Sequence, residues 1–548
     1  MHEFADRIVI GKIYPVDGSG KFAEAMAIRD GKILAVGTQK EAEEYKGQDT
    51  LVEQKDGMIL PGFTEGHAHV TCASEMILGV ALGHEEEPEG YLRRIEEWLK
   101  SNPGAEYVFG SGYDNGVFGP EGPTAKLLDT VCKDVPAVLV ASDHHSRWLN
   151  SKALQVAGIC DTTPNPMNGE IVRDAAGHAT GWLKETAMAL ANPAVPEISP
   201  AVYASAVEYY QRIALANGVT NVFEPLFDPL RDYSARAEGY RLLEQEGKLL
   251  LTARLGYSLE ADDDFSTAFS KMKQIRDDLR ACTKVQMTTA KFFVDGVVEC
   301  HTAFLRENYA DAETYGEPMI GSERLNHDVL AAMEAGFDIH THVIGDAAAD
   351  MAIDAYVNAQ DKLEARGRND FRNALTHLQL VASDAMDRMA KHGILGVVNP
   401  YWHYFSPVYF EELEKPYLGV ERASEEYPMR SLLDAGIHLS QASDFPVTVP
   451  PRTLDSIHLM VNRAEPRVED ALPLNKAQCI GLNEAIEIAT IRGAEQLRLE
   501  HCKGSLEKGK DADFVVLSEN LFSLPADQIC TAEVNETYIG GTLCYSRI

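Results

Sequence analysis

Two histidines spaced one residue apart, His67 and His69 in LPGFTEGHAHV, follow an apolar run that ends at Pro61-Gly62. In an extended chain residues i and i+2 project to the same side, so both imidazoles address one point in space, as a metal ion requires. Groups of the same chemical kind recur in matching contexts: His342 closes FDIHTH, His377 closes RNALTH and Asp444 closes IHLSQASD, each after a short apolar run. A His-x-His pair alone describes two core or surface histidines equally well. Four histidines and an aspartate at the ends of apolar runs form a coherent site for a divalent metal. Lys291, inside TTAKFFVDG, stands where an unpaired ammonium is costly. It is either a lysine paired with Asp295 or reaching out at a strand end, or a neutral amine that combines with carbon dioxide to give a carbamate, an anionic bridge between two metals.

Elements that bring such distant residues together must share one face. Helical stretches such as AVYASAVEYYQRIALANGV and HDVLAAMEAGF alternate with the apolar runs TNVFEPL, TAKFFVDG, FDIHTHVIGD, ILGVVNP and IHLSQASD. Several of the helices close on glycine, in ANG, EAGF, KHGI and DAGI, where a left-handed residue ends a helix. Repeated helix-Gly-strand units predict an α/β fold with a parallel sheet, and their number suits a (β/α)8 TIM-like barrel, whose strand C-termini converge on one face. Residues 5–60 read as three strands with Asp-Gly turns, and GSLEKGKDADFVVLSEN and ETYIGGTLCYSRI near the C-terminus have the same texture. The expected organisation is a composite β-sandwich of residues 1–60 and 498–548, with the barrel over 61–497. Residues from about 72 to 196 are too long for one βα unit and are expected to be a large insertion or lid after the first barrel strand.

The 548-residue chain has 84 acidic and 50 basic residues, a net charge of −34. A field of that sign repels phosphate backbones and anionic headgroups, so nucleic acid and membrane surfaces are not expected partners. A small molecule is, and a homo-oligomer is left open. No apolar run approaches the ~20 residues a membrane helix needs. The start, MHEFADRIVIGKIYPVDG, lacks a basic segment followed by a long apolar one, so the cytoplasm is the expected location. Nine cysteines without a CxxC pair argue against a disulfide framework or a thiolate zinc site.

HAH after PGF, the lysine of KFFVDG, HVIGD, THLQ and SDFPV, in this order, resemble the amidohydrolase superfamily, in particular the family-3 branch that includes N-substituted formamide deformylase-like enzymes. GYDN, PTAKLLD, DHHSRWLNSKAL, NGEIVRD with GWLKE, and GSLEKGKDADFVVL extend the resemblance over nearly the whole chain. It implies a barrel in which His67, His69, Lys291 as a carboxylated lysine, His342, His377 and Asp444 surround one or two divalent metals, usually zinc. Two departures stand out: Glu65-Gly66 replaces the family's more frequent Asp-Ser, and His340 is added two residues before His342. His340 is a rival ligand or a hydrogen-bond partner behind the ligands; His342 is preferred because it holds the HxIGD position. In the family the segments carrying Tyr113, Asp114, His145 and Trp148 approach the barrel mouth, which makes these four residues expected substrate contacts. The alternative is that Trp148 is core and His145 a structural hydrogen-bonder.

The chemistry so implied is metal-dependent hydrolysis of a non-peptide C–N bond of amide type. Metal binding lowers the pKa of a water from about 15.7 towards ~7, and Asp444 is expected to take its proton and deliver it to the leaving nitrogen. A metal-bound hydroxide as nucleophile fits the absence of a GxSxG elbow. The competing expectations are an isomerase or lyase on the same scaffold, or a non-catalytic metal-binding or regulatory protein. The complete ligand set with Asp444 argues against the latter.

Overall fold

The computed structural model describes residues 4–119, 121–195, 197–227 and 233–547. Eight strands follow one another around a parallel sheet in chain order: β1 (Phe63–Glu65), β2 (Val219–Leu226), β3 (Thr252–Ser258), β4 (Val285–Phe293), β5 (Asp338–Val343), β6 (Ala374–His377), β7 (Leu395–Val398) and β8 (Leu439–Gln441). The ring closes because the Gly66 N–H donates to the Gln441 carbonyl at 2.9 Å and Gln441 Nε2 donates to the Thr64 carbonyl at 2.9 Å. The fold is therefore the expected (β/α)8 barrel. Every residue of β2 is buried, as a strand covered on both faces must be.

Helix ends behave as the glycine pattern predicts. Helices Pro200–Ala216, Ser322–Glu334, Ser383–Lys391 and Met429–Asp434 are followed by Gly218, Gly336, Gly393 and Gly436, with φ of 78°, 86°, 61° and 89°. At Gly218 a Cβ would also lie 2.8 Å from the Phe63 ring, so the residue that ends the helix also lets β1 pass close by.

By its packing the chain groups into two compact units, Met1–Ala68, Gln211–Pro225 and Gly247–Ile548 in one, His69–Tyr210 and Leu226–Glu246 in the other. Besides the barrel, the first unit holds a seven-stranded sheet made from both ends of the chain. Its order is Thr542–Ser546, Val534–Ile539, Phe514–Leu517, Lys46–Pro61, Ala5–Ile13, Ala23–Arg29 and Lys32–Gly37. Phe514–Leu517 pairs antiparallel with the end of Lys46–Pro61, and their facing residues Ile59, Phe514 and Val516 pack with Val9, Ile13 and Met26. The N-terminal segment supplies four strands, not the three read from sequence. EAMAIRDGKILAVG is itself a hairpin, because Asp30 and Gly31 both take left-handed φ, 49° and 77°, the two-residue turn that suits the twist of paired strands.

The second unit carries the insertion, whose expected far boundary at residue 196 lies outside the described residues. It contains a six-stranded sheet in the order Gly169–Arg173, Ala179–Glu185, Ser146–Leu149, Ala137–Ala141, Val108–Tyr113 and Val80–Ala81. Neighbouring residues pack into opposite clusters: Val108, Leu139 and Trp148 into one, Phe109, Val138 and Leu149 into the other. That alternation is the two-residue period of a sheet covered on both faces, so the insertion has a core of its own. Among the described residues no helix is long and apolar enough to cross a membrane.

Candidate metal centre

His67 and His69 stand just beyond the end of β1, and Asp444 just beyond β8. The adjacency of first and last strands brings these loops together: the Asp444 N–H donates to the His67 carbonyl at 3.0 Å, with Asp444 itself in a left-handed conformation, φ 57°. One ligand atom from each of His67, His69 and Asp444 falls within 4.8 Å of the others. His67 Nε2 lies 3.3 Å from Asp444 Oδ1, and both side chains are buried.

Behind His67 stands His340, whose Nε2 is 2.8 Å from His67 Nδ1. With His67 donating from Nδ1, its Nε2 presents a lone pair on the Asp444 side, the usual way a buried partner aims a metal-binding imidazole. His342 and His377 lie outside the tight group and connect to it ring to ring, with centroids 5.3 Å apart for His67–His377 and 4.5 Å for His342–His377. His342 Nε2 donates to the Gly296 carbonyl at 3.0 Å, leaving Nδ1 as the acceptor nitrogen. His377 Nδ1 donates to Asn399 Oδ1 at 2.9 Å, leaving Nε2. Its ring stacks on Trp402, 5.0 Å between centroids and 20° from parallel.

Lys291, on β4 in register with His340 on β5, is wholly buried. Among the described residues its Nζ has no hydrogen-bond partner. Burial pushes its amine down to about 7, against the opposing pull of Asp444 and Glu260. The alternative of a pair with Asp295 is not realised. That carboxylate, also buried, takes backbone N–H groups from Gly345 at 2.8 Å, Phe304 at 2.9 Å and Ile344 at 3.0 Å. Its Nζ lies 4.6 Å from the centre of the Phe293 ring, and a buried amine without a hydrogen-bond partner, pushed down to about 7, is chemically suited to a carbamate and to the bridging anion that two cations would need.

Two further residues hold the site together: Glu65, noted in the sequence only as a departure from the family, and Asn399, which sequence reasoning passed over. Glu65 Oε1 accepts the Ser443 N–H at 2.8 Å and the His67 N–H at 3.3 Å, tying the loops after β8 and β1. Burial pushes its carboxyl up to about 8. A Cβ on neighbouring Gly66 would come 2.6 Å from Gln496 Oε1 and 2.8 Å from the Gln441 carbonyl, which explains why no serine stands there. Asn399, the aimer of His377, ends the run ILGVV just as the histidines end theirs, and that shared position was the available signal.

The four insertion residues have structural employment. Tyr113 and Trp148 are fully enclosed in the insertion core, with the Tyr113 hydroxyl 3.1 Å from Ser146 Oγ and Trp148 Nε1 donating to the Thr124 carbonyl at 2.9 Å. An enclosed ring offers no surface to a substrate, so the expectation for Tyr113 is corrected and Trp148 follows its core alternative. Asp114 caps the turn Asn115–Phe118 through the Gly116 N–H at 2.8 Å. His145 keeps partial exposure, with Nδ1 held 3.1 Å from Glu185.

A closed parallel barrel with histidines, a lysine and an aspartate gathered where its strands end is a protein of the barrel-enzyme class, in which chemistry sits at the C-terminal face. Residues 51–545 match the amidohydrolase family, and the chain belongs to it. It is 30% identical to Protein LONG AFTER FAR-RED 3 of Arabidopsis thaliana, over 99% of this chain and 92% of that protein. It is 26% identical to N-substituted formamide deformylase of Arthrobacter pascens, over 100% of this chain and 99% of that protein. Its fold matches the crystal structure of an uncharacterised metal-dependent hydrolase from Pyrococcus horikoshii with a TM-score of 0.74 at 22% identity, covering 95% of this chain and 99% of that one.

Proposed function

We propose that this protein is a metal-dependent hydrolase that cleaves a non-peptide carbon–nitrogen bond of amide type in a small molecule. His67, His69, His342, His377, Asp444 and a carboxylated Lys291 would hold one or two divalent ions, zinc being the expected metal. The observation that carries this reading is the fully buried amine of Lys291, which has no hydrogen-bond partner among the described residues and feels the charge of Asp444. A bound divalent ion supplies an acidified water and polarises the substrate carbonyl.

The chain's own residues do the rest. His340, Asn399 and the Gly296 carbonyl fix which nitrogen each imidazole presents. Asp444, held at the end of β8 by the His67 carbonyl, accepts the proton of the attacking water and delivers it to the leaving nitrogen as the C–N bond breaks. Support for an amide bond comes from the relative named N-substituted formamide deformylase, aligned over the full chain.

The test is metal content per chain on protein purified without added metal, together with a panel of small amides turned over in heavy-oxygen water. About two zinc equivalents in the wild type, falling to one or fewer in Lys291→Ala, is the expected result. One heavy oxygen should enter each acid product. An unchanged metal count would remove Lys291 from the site, and an unlabelled product would replace hydrolysis with isomerisation or elimination.

A further inference from the structure

Two carboxyl groups away from the candidate centre are buried against each other. Glu426 is fully buried and Glu414 is 4% exposed, and their side chains lie within hydrogen-bonding reach. Both belong to the long excursion of residues 399–428, between β7 and the helix Met429–Asp434, with Glu414 closing the π-helical turn Phe410–Glu414. The excursion lies across loops at the C-terminal end of the barrel. Its Leu418 and Ala423 pack with Val298 from the loop after β4, Ile344 from the loop after β5 and Leu380 from the loop after β6. Two backbone hydrogen bonds pin it there, from the Ala310 N–H to the Tyr417 carbonyl at 2.7 Å and from the Tyr427 N–H to the Gln379 carbonyl at 2.8 Å.

The surroundings do not compensate two negative charges. Gln379 Nε2 donates to Glu426 Oε1 at 2.6 Å, and Oε2 has no donor among the described residues. Glu299, from the turn Val298–Cys300, adds its own negative charge to both carboxyls. Cations on and beside the excursion are committed elsewhere. Arg463 donates to the carbonyls of Leu474, Tyr427 and Glu426, and Arg422 to those of Leu418 and Asn308. Lys415 pairs with Glu411 at 2.6 Å and His301 with Asp311 at 3.0 Å. Burial keeps the Tyr427 phenol and the His403 imidazole stacked on it neutral, raising the first and lowering the second. Two like charges this close in a dry space do not coexist, so the pair retains a proton, and that proton is the donor the carboxylates lack. Burial is the chief cause that pushes both carboxyls above their ordinary value.

We propose that Glu414 and Glu426 form a proton-operated latch: a shared proton keeps residues 399–428 docked across the loops after β4 and β6, and its loss to solvent as pH rises loosens them. In the loosened state both carboxylates reach water and return to the ordinary range near ~4.3. Above that value the docked state holds more protons than the loosened one, so each proton released makes loosening about tenfold easier per pH unit. Asn399 and Trp402, at the root of the excursion, contact His377, so a change in its docking bears on a candidate ligand.

The experiment is amide hydrogen exchange on the full-length protein between about pH 6 and 8, with rates corrected for the intrinsic pH dependence of exchange. Protection over residues 410–427 should fall with pH about tenfold per unit more steeply in wild type than in Glu426→Gln, whose amide carries permanently the hydrogen that the proton provides. Glu414→Gln should flatten the slope likewise, and decides the matter if the first variant does not fold. Asp295, which burial pushes up to about 7, titrates in the loop after β4 in all three proteins alike, so the difference in slope belongs to the pair. Equal slopes in wild type and either variant would overturn the latch. So would a fall in protection shared by the strands of the end sheet, which would mark unfolding of the whole chain rather than release of the excursion.

Discussion

Lys291 on the barrel strand β4 and Lys503, ahead of the end-sheet strand Phe514–Leu517, are both buried, at 0% and 7% exposure, yet they are held in opposite electrostatic states. Burial alone would depress the Lys503 amine, but its ion pairs with Asp513 and Asp511 outweigh that and raise it above the ordinary lysine value. Lys291 lacks such a pair, and burial carries its amine down to about 7. A buried charge persists where a partner compensates its lost hydration; where none does, the group sheds the charge. In the end sheet lysine is a structural cation. In the barrel its amine is pushed down from the ordinary lysine value to about 7, beside the candidate metal ligands.

This contrast can be broken at several points. The largest effect is expected at the barrel site: Asp444→Asn should lower kcat by about 10²–10⁴-fold, as loss of a positioned proton carrier does. Steady-state kinetics on the best amide decides it, and a loss below tenfold would show that the proton travels elsewhere. Next, urea unfolding of the metal-stripped protein should show Lys503→Met destabilised by about 3–5 kcal/mol, because Asp513 is left buried and uncompensated. Lys291→Met should be neutral or stabilising, since it removes an unpaired buried amine. Equal losses from the two lysine substitutions would end the comparison.

A smaller change is expected behind the ligands. His340→Ala and Asn399→Ala should each weaken zinc binding by about 10–100-fold, measured by competition with a chelator. Unaltered affinity would show that the rings of His67 and His377 are aimed without these partners. The gentlest effect is a slope with pH. In the metal-stripped protein Lys291 has a folded pKa below its unfolded value, so the unfolded chain binds more protons between about pH 7 and ~10.4, and stability should rise with pH across that window by at most ~1.4 kcal/mol per pH unit. Lys503 has the opposite sign: its raised folded pKa contributes stability below about pH 10.4 that is lost as pH climbs through the folded value. Unfolding midpoints for Lys291→Met should lack the rise between pH 7 and 10 and keep the fall above it.

Much of the site was legible in the chain because its signals are local. Histidines and an aspartate at the ends of apolar runs, and glycines at the ends of helices, are set by residues a few positions away, and the barrel places strand ends on one face. The four-strand N-terminal segment was misread for an equally local reason: an Asp30-Gly31 turn inside one apolar stretch makes two strands of it. Trp148 stayed open between substrate contact and core because a motif reports similarity to a family and says nothing of which ring is enclosed.

By itself the sequence determined the candidate ligand types, their order and the alternation of strand and helix that gathers them, since propensity and periodicity act over a few residues. Only the tertiary structure decided what each buried polar group finds opposite it: that Asp295 is taken by three backbone N–H groups and leaves Lys291 unpaired. It also decided that His340 backs His67 and that Glu65 ties the first loop to the last. The physical reason is that the charge and tautomer of a buried group depend on its neighbours in space, and those neighbours are assembled only when the eighth strand closes on the first.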